Sequence, residues 1–152
     1  MTYQLTIVGW IIIGFGIITC FPLLFAQLVI LIDPKGQKAK DILIGKGEDW
    51  RNETHFKFSY GAAIADWFIF FPIFILSIIG MIILKPWGYI LLSIAGTIQI
   101  YINATLWFTE KSYVYPNLGP WRYYTYFWGN FMYWGCSALI YGILKIAELT
   151  RF

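Results

Sequence analysis

Charged side chains, histidine and cysteine are all scarce in this 152-residue chain. Only 12% of its residues are charged, whereas ordinary soluble domains carry about 25%. The hydrophobic fraction of 59% and the mean hydropathy of +0.65 are correspondingly high. These values exclude a soluble enzyme, a disordered tail and a nucleic-acid-binding protein.

The missing residue types also exclude several kinds of membrane chemistry. A single histidine provides neither bis-histidine haem ligation nor an H-E-x-x-H zinc site. Cys20 and Cys136 both lie inside apolar runs and form no C-x-x-C pair. No lysine lies in the middle of an apolar segment, where a retinal Schiff base would need one, and no glycine-rich phosphate loop occurs. We therefore expect no metal and no cofactor.

Long apolar segments dominate what the chain does contain. Four of them reach the length of about 20 residues that a helix needs to cross the hydrocarbon core of a bilayer. They cover approximately residues 7–32, 58–84, 87–108 and 123–144. No other segment is long enough to hold a core of its own. The sequence thus predicts an all-α fold, an integral membrane four-helix bundle in which residues 1–152 form one domain.

The segments between the predicted helices set the expected orientation. Proline-containing breaks at residues 33–36, 85–88 and 115–120 separate the spans, and residues 34–57 form the one long loop. This loop and the third-to-fourth connection carry eight Lys and Arg residues, against three on the other side. The excess predicts cytoplasmic loops and non-cytoplasmic termini, in a bacterial or archaeal plasma membrane or in the endoplasmic reticulum. The sequon Asn52-Glu53-Thr54 favours the opposite orientation, because glycosylation takes place in the lumen.

Each predicted helix contains one strongly polar side chain in its cytoplasmic half. At 1.5 Å per residue, all four lie roughly 9–13 Å from the same interface. Polar groups at membrane depth usually face the interior of a bundle and are functional candidates, although amides also simply bond across helices. The acidic member must be protonated or paired, and no cationic side chain lies at its depth. The four residues are Gln27, Asp66, Asn103 and Asn130.

Two proline kinks beside this layer, at Pro22 and Pro72, predict a cavity. We expect Asp66 to be the catalytic residue of any reaction there. His55 and Glu110 are expected at the mouth of the cavity. The expected ligand-binding residues are Gln27, Trp67, Gln99, Tyr101, Asn103, Trp128, Asn130 and Tyr133.

Two segments carry a resemblance to a known family. They are Pro22-Leu-Leu-Phe-Ala-Gln27-Leu28 and Asp66-Trp-Phe-Ile-Phe-Phe-Pro72. They resemble the EXPERA-domain (emopamil-binding, sterol isomerase-like) family, in which the first helix tends to carry a proline followed by an acidic residue. Its second helix carries an acidic residue ahead of an aromatic–proline segment. Asp66 matches the second-helix acid, and Gln27 stands in place of the first. The resemblance implies a four- or five-helix membrane fold whose cavity admits sterol-like ligands.

The leading hypothesis is a polytopic membrane protein that binds an apolar small molecule or membrane lipid in a cavity centred on Asp66. The residues do not decide whether the protein also has isomerase-like acid–base chemistry. A double-bond shift needs one proton added and another removed, and Asp66 is the one acidic residue of the polar layer. A second hypothesis is an oligomeric ion or proton channel, or a proton-coupled transporter, that uses Asp66; it allows a homo-oligomer. A third is an accessory membrane subunit that packs its Tyr and Trp faces against a larger partner. No nucleic-acid partner is expected.

Overall fold

Helices make up the regular secondary structure of the protein. The computed structural model describes residues 5–44, 46–122 and 130–149, and the side chains of residues 107, 109–122 and 149 lie outside that description. Within the described residues no strand occurs, and the predicted all-α fold is confirmed for this part of the chain. The helices are α1 (Ile7–Ile32), α2 (Gln37–Leu43), α3 (Glu53–Ile82), α4 (Pro86–Arg122) and α5 (Asn130–Leu149).

Three of the described helices are long and apolar enough to cross a membrane. They are α1, α3 and the Pro86–Leu106 portion of α4. These helices are compatible with the predicted integral membrane protein, but they do not confirm a four-helix bundle. Within the described residues α5 does not join this group, because Asn130, Lys145 and Glu148, together with tyrosine, tryptophan, glycine and serine residues, dilute its apolar residues. The first residues of the fourth predicted span, 123–129, lie outside the described residues.

The start of α3 lies earlier than the predicted span, at Glu53 rather than at Phe58. Asn52 caps the helix, because its Oδ1 atom accepts the backbone N–H of His55 at 2.8 Å. Glu53 then occupies the first turn, where a negative charge is favourable, and pairs with Lys57 at 2.9 Å. Local capping chemistry therefore shortens the predicted loop, and α2 occupies part of what remains.

Pro72 changes the geometry of the helix turn that precedes it. Residues Asp66–Phe70 form a π-helical turn, in which the N–H of Phe71 donates to the carbonyl oxygen of Asp66. Proline lacks an N–H group, and its ring clashes with the carbonyl four residues earlier in a regular helix. An extra residue in the turn relieves this clash. The distortion predicted at Pro72 thus takes the form of a wide turn that begins at Asp66.

The C-terminal end of α3 is closed by a Schellman motif. Lys85 N–H donates to the carbonyl of Gly80 at 2.8 Å, and Leu84 N–H donates to that of Met81 at 3.1 Å. Leu84 adopts the left-handed conformation that this motif requires, with φ of 58°. Pro86 follows as the first residue of α4, a position where its missing N–H removes no helical bond.

The structure differs from the expected end of the third helix. A break was predicted at residues 115–120, but α4 continues to Arg122 and includes Pro116 and Pro120. Proline removes one backbone hydrogen bond, yet its fixed φ of about −65° is compatible with a helix. A proline within a long helix therefore does not have to end it.

The chain divides into two compact units, one of Met1–Thr19 with Ile73–Phe152 and the other of Cys20–Pro72. In the first unit Trp134 is fully buried, and its Nε1 atom donates to the carbonyl of Ile12 at 3.0 Å. Its ring meets that of Phe74 edge to face, with centroids 5.2 Å apart. This tryptophan therefore joins α5 to α1 and α3 within the first unit.

Glycines bring α4 and α5 into close contact in the same unit. A Cβ atom on Gly96 would lie 2.6 Å from the carbonyl oxygen of Gly135, and one on Gly135 would lie 2.8 Å from that of Gly96. No larger residue fits without displacing a helix backbone. In membranes, such small residues allow helices to approach closely enough for extensive van der Waals packing.

Candidate functional site

The carboxyl group of Asp66 and the amide of Gln27 are in direct contact in the Cys20–Pro72 unit. Gln27 Nε2 donates to Asp66 Oδ2 at 2.6 Å. The two residues are only 8% and 5% exposed, respectively. Among the described residues no lysine, arginine or histidine forms an ion pair with Asp66. The structure therefore brings together two of the predicted site residues, which come from different helices.

Trp67 also connects the two helices that carry this pair. Its Nε1 atom donates to the carbonyl oxygen of Leu24 at 3.0 Å, one helical turn before Gln27 on α1. The Trp67 ring also contacts Phe71, with centroids 5.2 Å apart, and Phe71 meets Phe21 edge to face at 6.0 Å. Two side-chain hydrogen bonds thus join α1 to α3 here, and aromatic rings pack beside them.

The amide of Gln27 retains unused hydrogen-bonding capacity. Its Oε1 atom is buried and has no donor among the described residues. A buried polar atom without a partner costs about 1–3 kcal/mol, and most such atoms in native proteins are paired. A donor group on a ligand would remove that cost. The pair can therefore offer an acceptor oxygen next to a buried carboxyl group.

Gln99 and Asn103 form a second buried polar pair, in the other unit. They are 0% and 6% exposed and lie one turn apart on α4. Asn103 Nδ2 donates to the carbonyl oxygen of Gln99 at 2.7 Å and to its Oε1 atom at 3.2 Å. Gln99 Nε2 is buried and has no acceptor within the described part of the chain. These two predicted site residues thus pair along a single helix, and one buried donor of Gln99 remains without an acceptor in the described part of the chain.

Three predicted ligand-binding residues have exposed side chains. Tyr101 is 73% exposed and Tyr133 is 57% exposed, and Asn130 is also exposed at the start of α5. The buried face of α5 instead contains Trp134 and Ala138. Because successive residues of a helix are rotated by about 100°, Trp134 lies on a different face of α5 from the predicted residue Tyr133.

Three predicted site residues remain, of which the structure describes the side chain of His55 alone. His55 stands in the first turn of α3, where its Nδ1 atom accepts the N–H of Arg51 at 3.4 Å. Its ring meets that of Trp50 edge to face at 5.4 Å. Trp128 and the side chain of Glu110 lie outside the described residues.

The Cys20–Pro72 unit contains a cavity other than the one predicted around Asp66. It has a volume of about 360 Å³ and lies between the segment that follows α1 and the start of α3. The available signal was the interleaving of lysine and aromatic residues between positions 35 and 56, together with the capping residue Asn52. The lining residues are Lys35, Lys40, Trp50, Asn52, Glu53 and Phe56.

Comparison with known proteins adds no further identification. No family model, no curated protein and no solved structure matches the chain. The EXPERA-like character of the segments around Gln27 and Asp66 therefore stays a prediction. Function has to be argued from the contacts of these side chains.

Proposed function

We propose that the protein is an integral membrane protein that binds a largely apolar, lipid-like molecule at the Gln27–Asp66 pair. The observation that carries the proposal is the buried 2.6 Å contact between Gln27 Nε2 and Asp66 Oδ2, beside a Gln27 oxygen that has no donor among the described residues. A hydroxyl group on the ligand would donate to this oxygen, so we expect the ligand to carry one.

The surroundings of the pair support an apolar ligand. Trp67 and Phe71 pack beside it, and α1 and α3 are both apolar enough to lie in a membrane. Ligand sites are commonly lined by apolar and aromatic groups, with a few polar atoms that set orientation. The resemblance to the EXPERA-domain family supports the same class of ligand, a sterol-like molecule.

Asp66 is also suited to acid–base chemistry of the isomerase type. A protonated carboxyl group can add a proton to one carbon of an alkene, which leaves a carbocation on the other alkene carbon. The resulting carboxylate can then remove a proton from the next carbon beyond the cation, so that the double bond moves by one position and the carboxyl group is protonated again. Gln27 would hold Oδ2 in place, and the π-helical turn would set the position of the carboxyl group relative to α1. Catalysis is the narrower part of the proposal, and ligand binding does not depend on it.

Mass spectrometry of co-purified small molecules tests the binding. The wild type, Asp66→Asn and the matched control Asp33→Asn are purified in a mild detergent and extracted. Asp33 is an exposed residue just after α1, so the control changes an acid to an amide outside the site. We expect a stoichiometric lipid-like species in the wild type and the control, and its loss in Asp66→Asn.

A swapped variant separates hydrogen bonding from acid–base chemistry. Gln27→Glu combined with Asp66→Asn keeps one acid and one amide but exchanges their helices. We expect it to recover ligand retention without restoring any double-bond shift. A stable wild type that contains no ligand, but conducts protons in liposomes unless Asp66 is changed to Asn, would contradict the binding proposal and favour transport.

A further inference from the structure

Hydrogen-bond donors outnumber acceptors in the lining of the cavity between α1 and α3. Lys35, Lys40 and Trp50 are among the lining residues, and their side chains carry two ammonium groups and an indole N–H. Asn52 uses its Oδ1 atom to cap α3, which leaves its Nδ2 group to donate. Glu53 is the one carboxylate among the lining residues. This donor set fits an anion with several acceptor oxygens.

The ion pairs around the cavity leave it with a positive charge. The carboxylate of Glu53 is held by Lys57 at 2.9 Å, and Lys40 is held by Asp49 at 2.7 Å. Lys35 forms no ion pair within the described residues, and it is exposed. One lining residue therefore carries an ammonium group that no ion pair in the described part of the chain compensates.

Trp50 supplies an independent indication of a ligand. Its Nε1 atom is buried and has no hydrogen-bond acceptor among the described residues. Its ring packs at 5.4 Å against Phe56, which also lines the cavity. A ligand oxygen that reaches this N–H group would remove the cost of burying it without an acceptor.

We propose that this cavity binds the phosphate group of a phospholipid. The site lies where α1 has ended and α3 begins, and both helices are candidate membrane spans, so it is at headgroup level when they cross a bilayer. Trp50 and Phe56 also pack against the buried residues Ile30 and Ala63, which gives the site an apolar side toward the spans. Free phosphate would gain nothing from that apolar side. The proposal does not depend on the function proposed for Gln27 and Asp66.

The test compares three probes on the full chain in detergent by native mass spectrometry. Short-chain phosphatidylglycerol carries both phosphate and acyl chains, diacylglycerol with the same chains lacks phosphate, and inorganic phosphate lacks chains. We expect phosphatidylglycerol to bind at least about tenfold more tightly than either of the other two. Diacylglycerol loses the charged hydrogen bonds to phosphate, and inorganic phosphate loses the burial of acyl chains against the apolar side of the site.

Variants assign this binding to the cavity. Lys35→Glu should weaken phosphatidylglycerol binding by about tenfold or more. The matched control Lys38→Glu makes the same charge change at an exposed lysine that does not line the cavity, and binding should stay within about threefold of wild type. Trp50→Phe keeps an aromatic ring but removes the donor, and it should weaken binding without any change in charge.

Each alternative result would overturn the proposal. Equal losses in the two lysine variants would indicate general attraction to the basic loop. Diacylglycerol that binds as tightly as phosphatidylglycerol would show that phosphate is not recognised. Inorganic phosphate that binds as tightly would make this a site for the free ion. Unchanged binding in Trp50→Phe, with an intact circular-dichroism spectrum, would place the lipid elsewhere.

Discussion

The hydrogen bond between Gln27 and Asp66 should contribute measurably to stability. Both side chains are more than nine-tenths buried, and the donor and acceptor are 2.6 Å apart. Hydrogen bonds between membrane helices contribute about 0.6–2 kcal/mol, and a buried group that loses its partner costs about 1–3 kcal/mol. We expect Gln27→Leu and Asp66→Leu each to lower the free energy of unfolding by about 1–3 kcal/mol. The double variant leaves neither group unpaired and should lose less than the sum.

A double-mutant cycle measures this coupling, with unfolding followed by circular dichroism during titration with sodium dodecyl sulfate. The chain offers an exposed control of identical chemistry, because Gln37 Nε2 donates to Asp41 Oδ1 at 2.9 Å on α2. Exposed pairs of this kind contribute about 0.2–0.5 kcal/mol. The buried cycle should therefore show a coupling free energy of about 1–2 kcal/mol, and the exposed cycle should show much less.

Two results would refute this reasoning. Additive effects of Gln27→Leu and Asp66→Leu would mean that the two side chains do not stabilise each other. Couplings of equal size in the buried and exposed cycles would mean that burial does not strengthen the contact. Either result would also remove the geometric basis for a ligand site at this pair.

Three further predictions concern the rest of the chain. Leu84→Gly should stabilise the protein by about 1–2 kcal/mol in the same unfolding assay, because glycine adopts positive φ without strain. Gly96→Val should separate α4 from α5 and destabilise by more than about 2 kcal/mol, whereas Gly61→Ala, with open space around its Cβ position, should not destabilise. The hydrogen bond from Lys40 lowers the pKa of Asp49 below its ordinary value of 3.8. The ionised Asp49 should therefore stabilise the fold above the unfolded-state pKa, and this stabilisation should be lost as the pH falls through the folded-state pKa. Titration of Asp49 by NMR should show a lower pKa in the wild type than in Lys40→Met, in which the backbone N–H of Trp50 remains as a donor to the carboxylate.

The helices that could be predicted are those in which hydropathy alone decides the outcome. Residues 7–32 contain no charged side chain, and α1 has these same bounds. Helix ends were less predictable where short-range chemistry competes with hydropathy. The Asn52 cap moved the start of α3 into the predicted loop, and α4 continued through Pro116 and Pro120. A hydropathy profile contains neither the capping bond nor the compatibility of proline with helical φ.

Side-chain faces were predictable only where one face is clearly more polar. On α5, the aromatic residues Tyr133 and Trp134 are adjacent, so the helix faces that contain them look similar in the sequence. The structure buries Trp134, because its indole reaches the carbonyl of Ile12 and fills the space beside Gly16. That choice depends on a glycine more than a hundred residues away, so local periodicity could not reveal it.

The two buried amide pairs differ in a way that ranks them as candidate sites. Asn103 and Gln99 lie on one helix, and a donor bonded to the backbone four residues earlier is a common way to satisfy a polar side chain in a membrane helix. Gln27 instead contacts a titratable group on another helix, at a π-helical turn of the kind often found at functional sites. Both pairs leave one buried amide atom without a partner in the described structure, so the acid and the contact between helices are what distinguish the Gln27–Asp66 pair. The Gln27–Asp66 pair is therefore the stronger candidate for a functional site.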